Sequence, residues 1–235
     1  LAMADILCGR VCPSGRLTDT YAADTTGDGN PDTYGFDFDE DGVKYLCYVD
    51  IYNEVDDCFN IIEVKATTSK KFLSLGYKKD GELYSIFTKG ENGIYHLLEE
   101  DNLYYDKDKY FKQKAKLFDR FSSAGKYVYD LAVQRYIIEN DLRQHGEEEK
   151  IGDVKYYLAV LNADYVFDGT YKYDEPFYNT DSNGNDIICY FDMTGITFEY
   201  MDKINLDRLR VEGYINDLKA DKFPLGKYCE YKRVS

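Results

Sequence analysis

A chain of 235 residues with 44% hydrophobic and 16% aromatic residues can bury a sizeable core, which excludes a disordered class. It is too large to need disulfide staples, so its six cysteines are expected to be reduced thiols in a cytoplasmic protein. The net charge of −15 weighs against a nucleic-acid partner, since phosphate binding is driven by basic surface.

In chain order, residues 1–12 (LAMADILCGRVC) read as the end of a helix stopped by Pro13 and Gly15. Residues 18–42, rich in Asp and Gly, are expected to form a turn-laden insertion. Residues 43–52 (VKYLCYVDIY) and 59–67 (FNIIEVKAT) carry the β-branched and aromatic residues of strands, and the polar stretch Asn53 to Asp57 between them predicts a β-hairpin. Apolar runs broken by Gly-containing turns over 72–104 predict a β-meander within a second insertion, 72–110. A helical period follows over 107–142, then short strands at 154–162 and 187–192. The last element is a helix over 203–220 with Val211, Tyr214, Ile215 and Leu218 on one stripe. No stretch of eighteen apolar residues occurs, so no membrane partner is expected. These elements predict one α/β domain over 1–235, a piece of a longer polypeptide with possible further domains.

The acidic excess is local. Residues 19–57 hold twelve acids against Lys44 alone, whereas 64–79 hold Lys65, Lys70, Lys71, Lys78 and Lys79 with no acid. A basic face is therefore compatible with the acidic total.

Asp is disfavoured in strands, yet Asp50 interrupts the apolar run Leu46 to Ile51. Glu63 and Lys65, two apart in a strand, share one face, with Ile62 and Val64 on the other. A hairpin closing symmetrically about residues 56 and 57 would set Asp50 opposite Glu63. Two carboxylates are what a hydrated Mg²⁺ normally takes from a protein, and a neighbouring ammonium can orient water or stabilise charge on a phosphate. The bland alternative is a cross-strand ion pair on a half-exposed sheet.

Residues 45–67, YLCYVDIYNEVDDCFNIIEVKAT, resemble the PD-(D/E)XK nuclease superfamily in its RecB-like exonuclease branch: an Asp ending one apolar strand, a turn, then IIEVKATTS. The branch also places a Gln on the following helix, and GKYVYDLAVQRYIIENDL carries Gln134 on a stripe with Tyr127, Leu131 and Ile138. VKYYLAVLNADYVFDGTY is similar to the strand that follows. The resemblance implies a restriction-endonuclease-like core, a mixed central sheet flanked by helices with a β-rich insertion. It implies a metal-dependent DNA nuclease using Mg²⁺ or Mn²⁺, with Asp50, Glu63 and the Val64 carbonyl as ligands, Lys65 assisting the water and Gln134 organising the site. For the family's upstream acid only Asp5 is available, and the position four after the Gln is Ile138, with Tyr136 nearby. Relatives carry a cysteine cluster that binds iron and sulfur; here Cys229 has no near partners, and no such cluster is expected.

The rival reading is a catalytically degenerate module that binds nucleic acid or a protein partner. A third rests on Asp37-x-Asp39-x-Asp41-Gly42, Asp24-x-Thr26-x-Asp28-Gly29 and Asp181-x-Asn183-x-Asn185, which copy the opening of a calcium loop, although Asx-rich turns account for them more simply. The run Lys107, Lys109, Lys112, Lys114, Lys116 and Arg120 reads as the solvated face of a helix, and His145 as a surface residue.

Overall fold

A computed structural model describes residues 34–55, 58–101 and 105–222. The helix expected over 1–12, with Asp5, Cys8 and Cys12, lies outside the described residues, as do the Asp24 turn and Cys229.

The first described element departs from expectation. β1 (Gly35–Glu40) and β2 (Val43–Tyr48) form an antiparallel hairpin through Asp41-Gly42, both residues at positive φ, 52° and 72°. Two left-handed residues give a turn whose twist suits the flanking strands, and Asp-Gly tolerates it. The turn-laden reading thus fails over 35–40, where Phe36 and Phe38 alternate with Asp37 and Asp39. Phe38 stacks on Tyr45 at 4.7 Å and meets Tyr136 edge-on at 5.7 Å.

The strand expected over 43–52 is two strands. Val49 is buried and Asp50 occupies a bend, after which β3 (Ile51–Val55) pairs antiparallel with β4 (Cys58–Thr68). The register runs from Val55↔Cys58 to Ile51↔Ile62, so the hairpin is centred on 56 and 57. Asn53 to Val55, expected in the turn, are strand residues. After β4 come a short helix α1 (Lys70–Leu73), the hairpin of β5 (Gly76–Lys79) and β6 (Glu82–Ser85), then β7 (Phe87–Lys89) and β8 (Tyr95–Leu97). The helical stretch divides into α2 (Lys107–Lys114), capped by the Asp106 side chain, and α3 (Gly125–Gln144). Gly125 opens α3 where a Cβ would stand 2.2 Å from the Asp119 carbonyl oxygen, so no other residue fits without a shift. β9 (Val154–Leu161), the small hairpin of β10 (Tyr171–Lys172) and β11 (Glu175–Pro176), β12 (Ile188–Asp192), α4 (Thr194–Glu199) and α5 (Met201–Lys219) follow.

Six strands form one mixed sheet in the order β3-β4-β9-β12-β8-β7. β4 runs parallel to β9 and β12 parallel to β8, and the other neighbours are antiparallel. Of the stretch read as insertion, β7 and β8 thus belong to the central sheet. One sheet face carries Ile61, Tyr156, Leu158, Val160 and Phe191, all essentially inaccessible, and α3 covers it with Val128, Leu131 and Ile138. At about 25 cal/mol per Å² of apolar surface, each such side chain contributes roughly 1.5–3 kcal/mol. On α5 the predicted stripe is only partly buried among the described residues: Tyr214 and Ile215 are half-buried, while Val211 and Leu218 are exposed.

Charged residues also lock the helical layer. Arg135 and Glu139 are both buried on α3; Arg135 Nε donates to Glu139 Oε1 at 2.7 Å, and its Nη1 donates to the Thr194 carbonyl at 2.6 Å, tying α3 to α4. Lys114, expected on a solvated face, is buried and bonded to Glu99 and Glu199. Arg120 of the same run pairs with Asp207 at 2.7 Å. The basic run is therefore partly internal, because carboxylates from other elements meet it.

Removing Arg135 takes away the buried partner of Glu139 and leaves its carboxylate only the half-exposed Arg143, at 3.2 Å. Arg135→Ala should lower stability by about 3–5 kcal/mol in urea unfolding, with Arg135→Met/Glu139→Leu costing much less. Equal losses in the two variants would show that packing, and not the stranded carboxylate, dominates.

Candidate active site

The site is assembled by β4 and the overlying α3. Glu63 and Lys65 stand on the sheet face that carries Ile61, so both are drawn beneath α3 and Glu63 is 7% exposed. A carboxylate in that position needs donors. Lys65 Nζ donates to Glu63 Oε1 at 2.6 Å, and Gln134 Nε2, from α3, donates to Oε2 at 2.7 Å. Lys65 also meets Asp130 Oδ2 at 3.1 Å. Parallel pairing with β9 sets the height of the pair along the sheet, Glu63 beside Leu158 and Lys65 beside Val160. Immediately after Lys65 the ladder slips, with three residue steps to Thr68 on β4 against one on β9. Such a bulge bends a strand and re-aims its side chains.

Asp50 reaches the same place from the bend before β3. Its Oδ2 accepts the Val64 N–H at 2.8 Å, and the register Ile51↔Ile62 carried one step further brings Asp50 opposite Glu63. In a strand the N–H and C=O of one residue point to the same edge, so the Val64 carbonyl is directed to the edge that Asp50 occupies. Asp50, Glu63, Val64, Lys65 and Gln134, predicted from widely separated stretches, thus converge.

Burial pushes the Glu63 carboxyl above its ordinary 4.5, with the Asp50 charge adding to it and Lys65 and Gln134 opposing. For Lys65, burial acts downward, but the Glu63 and Asp130 carboxylates outweigh it and hold the ammonium above its usual range. Three formal negative charges (Asp50, Glu63, Asp130) against one positive leave the cluster at −2, which favours a divalent cation. Among the described residues Gln134 Oε1 is buried without a hydrogen-bond partner, a polar atom still available to a cation or water. Among the described residues no group of three or more His, Cys, Asp or Glu side chains stands ready to hold a metal ion. The donor set that fits one is two carboxylates, a backbone carbonyl and solvent, within what Mg²⁺ accepts.

Two participants escape the motif reading. Asp130 lies four residues before Gln134 on α3, so helical spacing alone could have found it. Tyr127, one of the predicted stripe, has its ring 5.8 Å from Lys65 Nζ. Tyr136 instead packs on Phe38 and Tyr45, in the hairpin cluster. Two clefts, of about 280 Å³ beside Phe118 and Leu206 and about 140 Å³ between Phe36 and Leu142, include neither Glu63 nor Lys65.

The two calcium-loop candidates among the described residues lie in ordinary structure. Asp37 and Asp39 are strand residues of β1, with Asp37 paired to Lys44 at 2.7 Å. Asp181 accepts the N–H groups of Asn183, Asn185 and Val166, so its own loop occupies both oxygens. Cys47, Cys58 and Cys189 are free thiols, and burial pushes Cys47 up to about 12. His145 is exposed at the end of α3. Among the described residues no helix is long and apolar enough to cross a membrane.

No family model, curated protein or solved structure gives a significant match to this chain.

The raised Glu63 carboxyl has a measurable consequence. A folded-state pKa above the unfolded 4.5 means that the native protein binds the proton more tightly, so stability falls as pH rises through that interval. The difference in unfolding midpoint between Glu63→Gln and the parent protein should therefore grow in favour of the variant from pH 4.5 upward and level off above the folded value. A difference independent of pH would show that Glu63 titrates normally.

Proposed function

We propose that this chain is a metal-dependent phosphodiesterase of the PD-(D/E)XK nuclease type acting on DNA, built on a restriction-endonuclease-like core. The observation that carries the reading is the meeting of Glu63, Lys65 and Gln134 under α3 with Asp50 at the open edge. Support for the core comes from β4 and β9, a parallel pair with the acid and amine on the inner strand and the helix that bears the Gln above it.

Asp50, Glu63 and the Val64 carbonyl would hold Mg²⁺ or Mn²⁺. When bound, the cation supplies Lewis acidity toward a phosphate oxygen and a lowered pKa for water. Lys65, kept protonated by its neighbours, is suited to donate toward oxygens that gain negative charge and not to remove a proton. Gln134 fixes the Glu63 carboxylate, leaving its own carbonyl oxygen to orient water or substrate. Asp130 steadies Lys65 from the exposed side.

One observation favours a non-catalytic alternative: Lys65 and Gln134 already occupy both Glu63 oxygens, as in a purely structural ion pair. That reading makes the chain a binding module for nucleic acid or a protein partner.

Cleavage of single- and double-stranded DNA with Mg²⁺ or Mn²⁺ separates the two. Asp50→Asn and Lys65→Ala should each slow cleavage by about 10²-fold or more, the usual cost of losing a charge-stabilising group. Rates unchanged in both would remove these residues from the reaction. Salt-sensitive binding without cleavage under either metal would leave the binding module.

A further inference from the structure

Beside the carboxylates, around Tyr127, lies a cluster of opposite sign. The Tyr127 ring is approached by Lys126 Nζ at 4.6 Å, Lys71 Nζ at 4.9 Å and Lys65 Nζ at 5.8 Å from its centroid, and Lys71 Nζ also reaches the Tyr127 hydroxyl at 3.4 Å. Lys65 is neutralised by Glu63 and Asp130, but neither Lys71 nor Lys126 is paired with a carboxylate among the described residues. In a chain with 44 acidic and 29 basic residues, two adjacent lysines without acids are not explained by supply.

The backbone adds to the effect. Lys126 and Tyr127 stand in the first turn of α3, a helix of 20 residues, and that turn contains no acid. A lysine at the positive end of a helix is destabilising unless an anion joins it. Burial pushes the Tyr127 phenol up, yet Lys71 and Lys126 outweigh it and hold the group below its usual range, a sign of positive potential at the ring.

We infer that Lys71, Lys126 and the face of Tyr127 form a seat for a phosphate group, adjoining the Glu63–Lys65 site. It rests on the phosphodiester reading above and extends it: the reacting phosphate lies at Asp50, Glu63 and Lys65, and the next phosphate of the same strand lies on the lysines. Tyr127, whose ring is approached by Lys65 as well as by Lys71 and Lys126, links the two positions. The charge separation suits this division, carboxylates where a cation is needed and ammonium groups where an anion is already present.

The test is binding of a fluorescein-labelled single-stranded oligonucleotide in EDTA, followed by anisotropy between about 50 and 200 mM salt. Lys71→Ala/Lys126→Ala should weaken binding and make the slope of log K against log salt shallower by about 0.7, the share of the one phosphate contact that is lost. Lys71 is half-buried and Lys126 exposed, so the variant is expected to fold, which circular dichroism checks. Unchanged affinity and slope would overturn the seat. Inorganic phosphate provides a separate arm by calorimetry. Heat that depends on both lysines, with no oligonucleotide binding by the parent protein, keeps the seat and dismisses the polynucleotide substrate; heat with neither probe dismisses both. Binding that needs the lysines in a protein that never cleaves keeps the seat and removes only the hydrolytic reaction.

Discussion

A negative charge placed on the covered face of a sheet constrains everything around it. Glu63 occupies a position where Ile61 and Leu158 are its neighbours in the strand pattern, and water is largely excluded. Its charge is tolerable only because Lys65 and Gln134 bond both oxygens, and that requires α3 to cross β4 at one height and one rotation. Leu131 and Ile138 on the same helix, fully buried, fix that rotation by packing. Arg135, one residue beyond Gln134, lies over the Tyr156 ring of the same sheet face and fastens the helix to α4. Apolar and polar contacts thus specify the same pose of α3, and a slip in either breaks both.

Much of this is legible in the sequence. The Glu63 and Lys65 spacing dictated a shared face, and an isolated Asp at 50 in an apolar run demanded a special place, which the bend provides. The hairpin itself was legible, although its turn was expected to begin at Asn53 and β3 runs on to Val55. What stayed hidden depended on distant partners. Gly35 to Glu40 carries too many acids to look like a strand, yet Asp37 and Asp39 donate their backbone N–H groups to Asp141 and Gln144 of α3. Lys114 looks solvated until Glu99 and Glu199 arrive from other elements. β7 and β8 are three residues each, too short for periodicity to tell a local meander from an edge of the main sheet. The break at Val49 and Asp50 has the same origin: local propensity favours one long strand, and two different pairing partners divide it.

The chain also shows how a strongly acidic total can coexist with local positive potential. The −15 is concentrated early in the sequence, and many later acids are consumed: Asp207 by Arg120, Glu139 by Arg135 and Arg143, Glu212 by Arg208. Net charge governs long-range approach, whereas the nearest few side chains decide what is held once contact is made. Screening at physiological salt acts over about 8 Å, so exposed acids further away than that act only weakly on a lysine.

The two outer strands of the sheet are brief, five residues in β3 and three in β7. Unpaired backbone groups along a border invite a second chain to zip on, and the usual defences are shortness and charge. β3 displays Glu54 and β7 ends on Lys89, so a docking copy would find few rungs and an unwelcome ion at each border. Shortness and charge at both margins thus disfavour lateral growth of the sheet by a second chain.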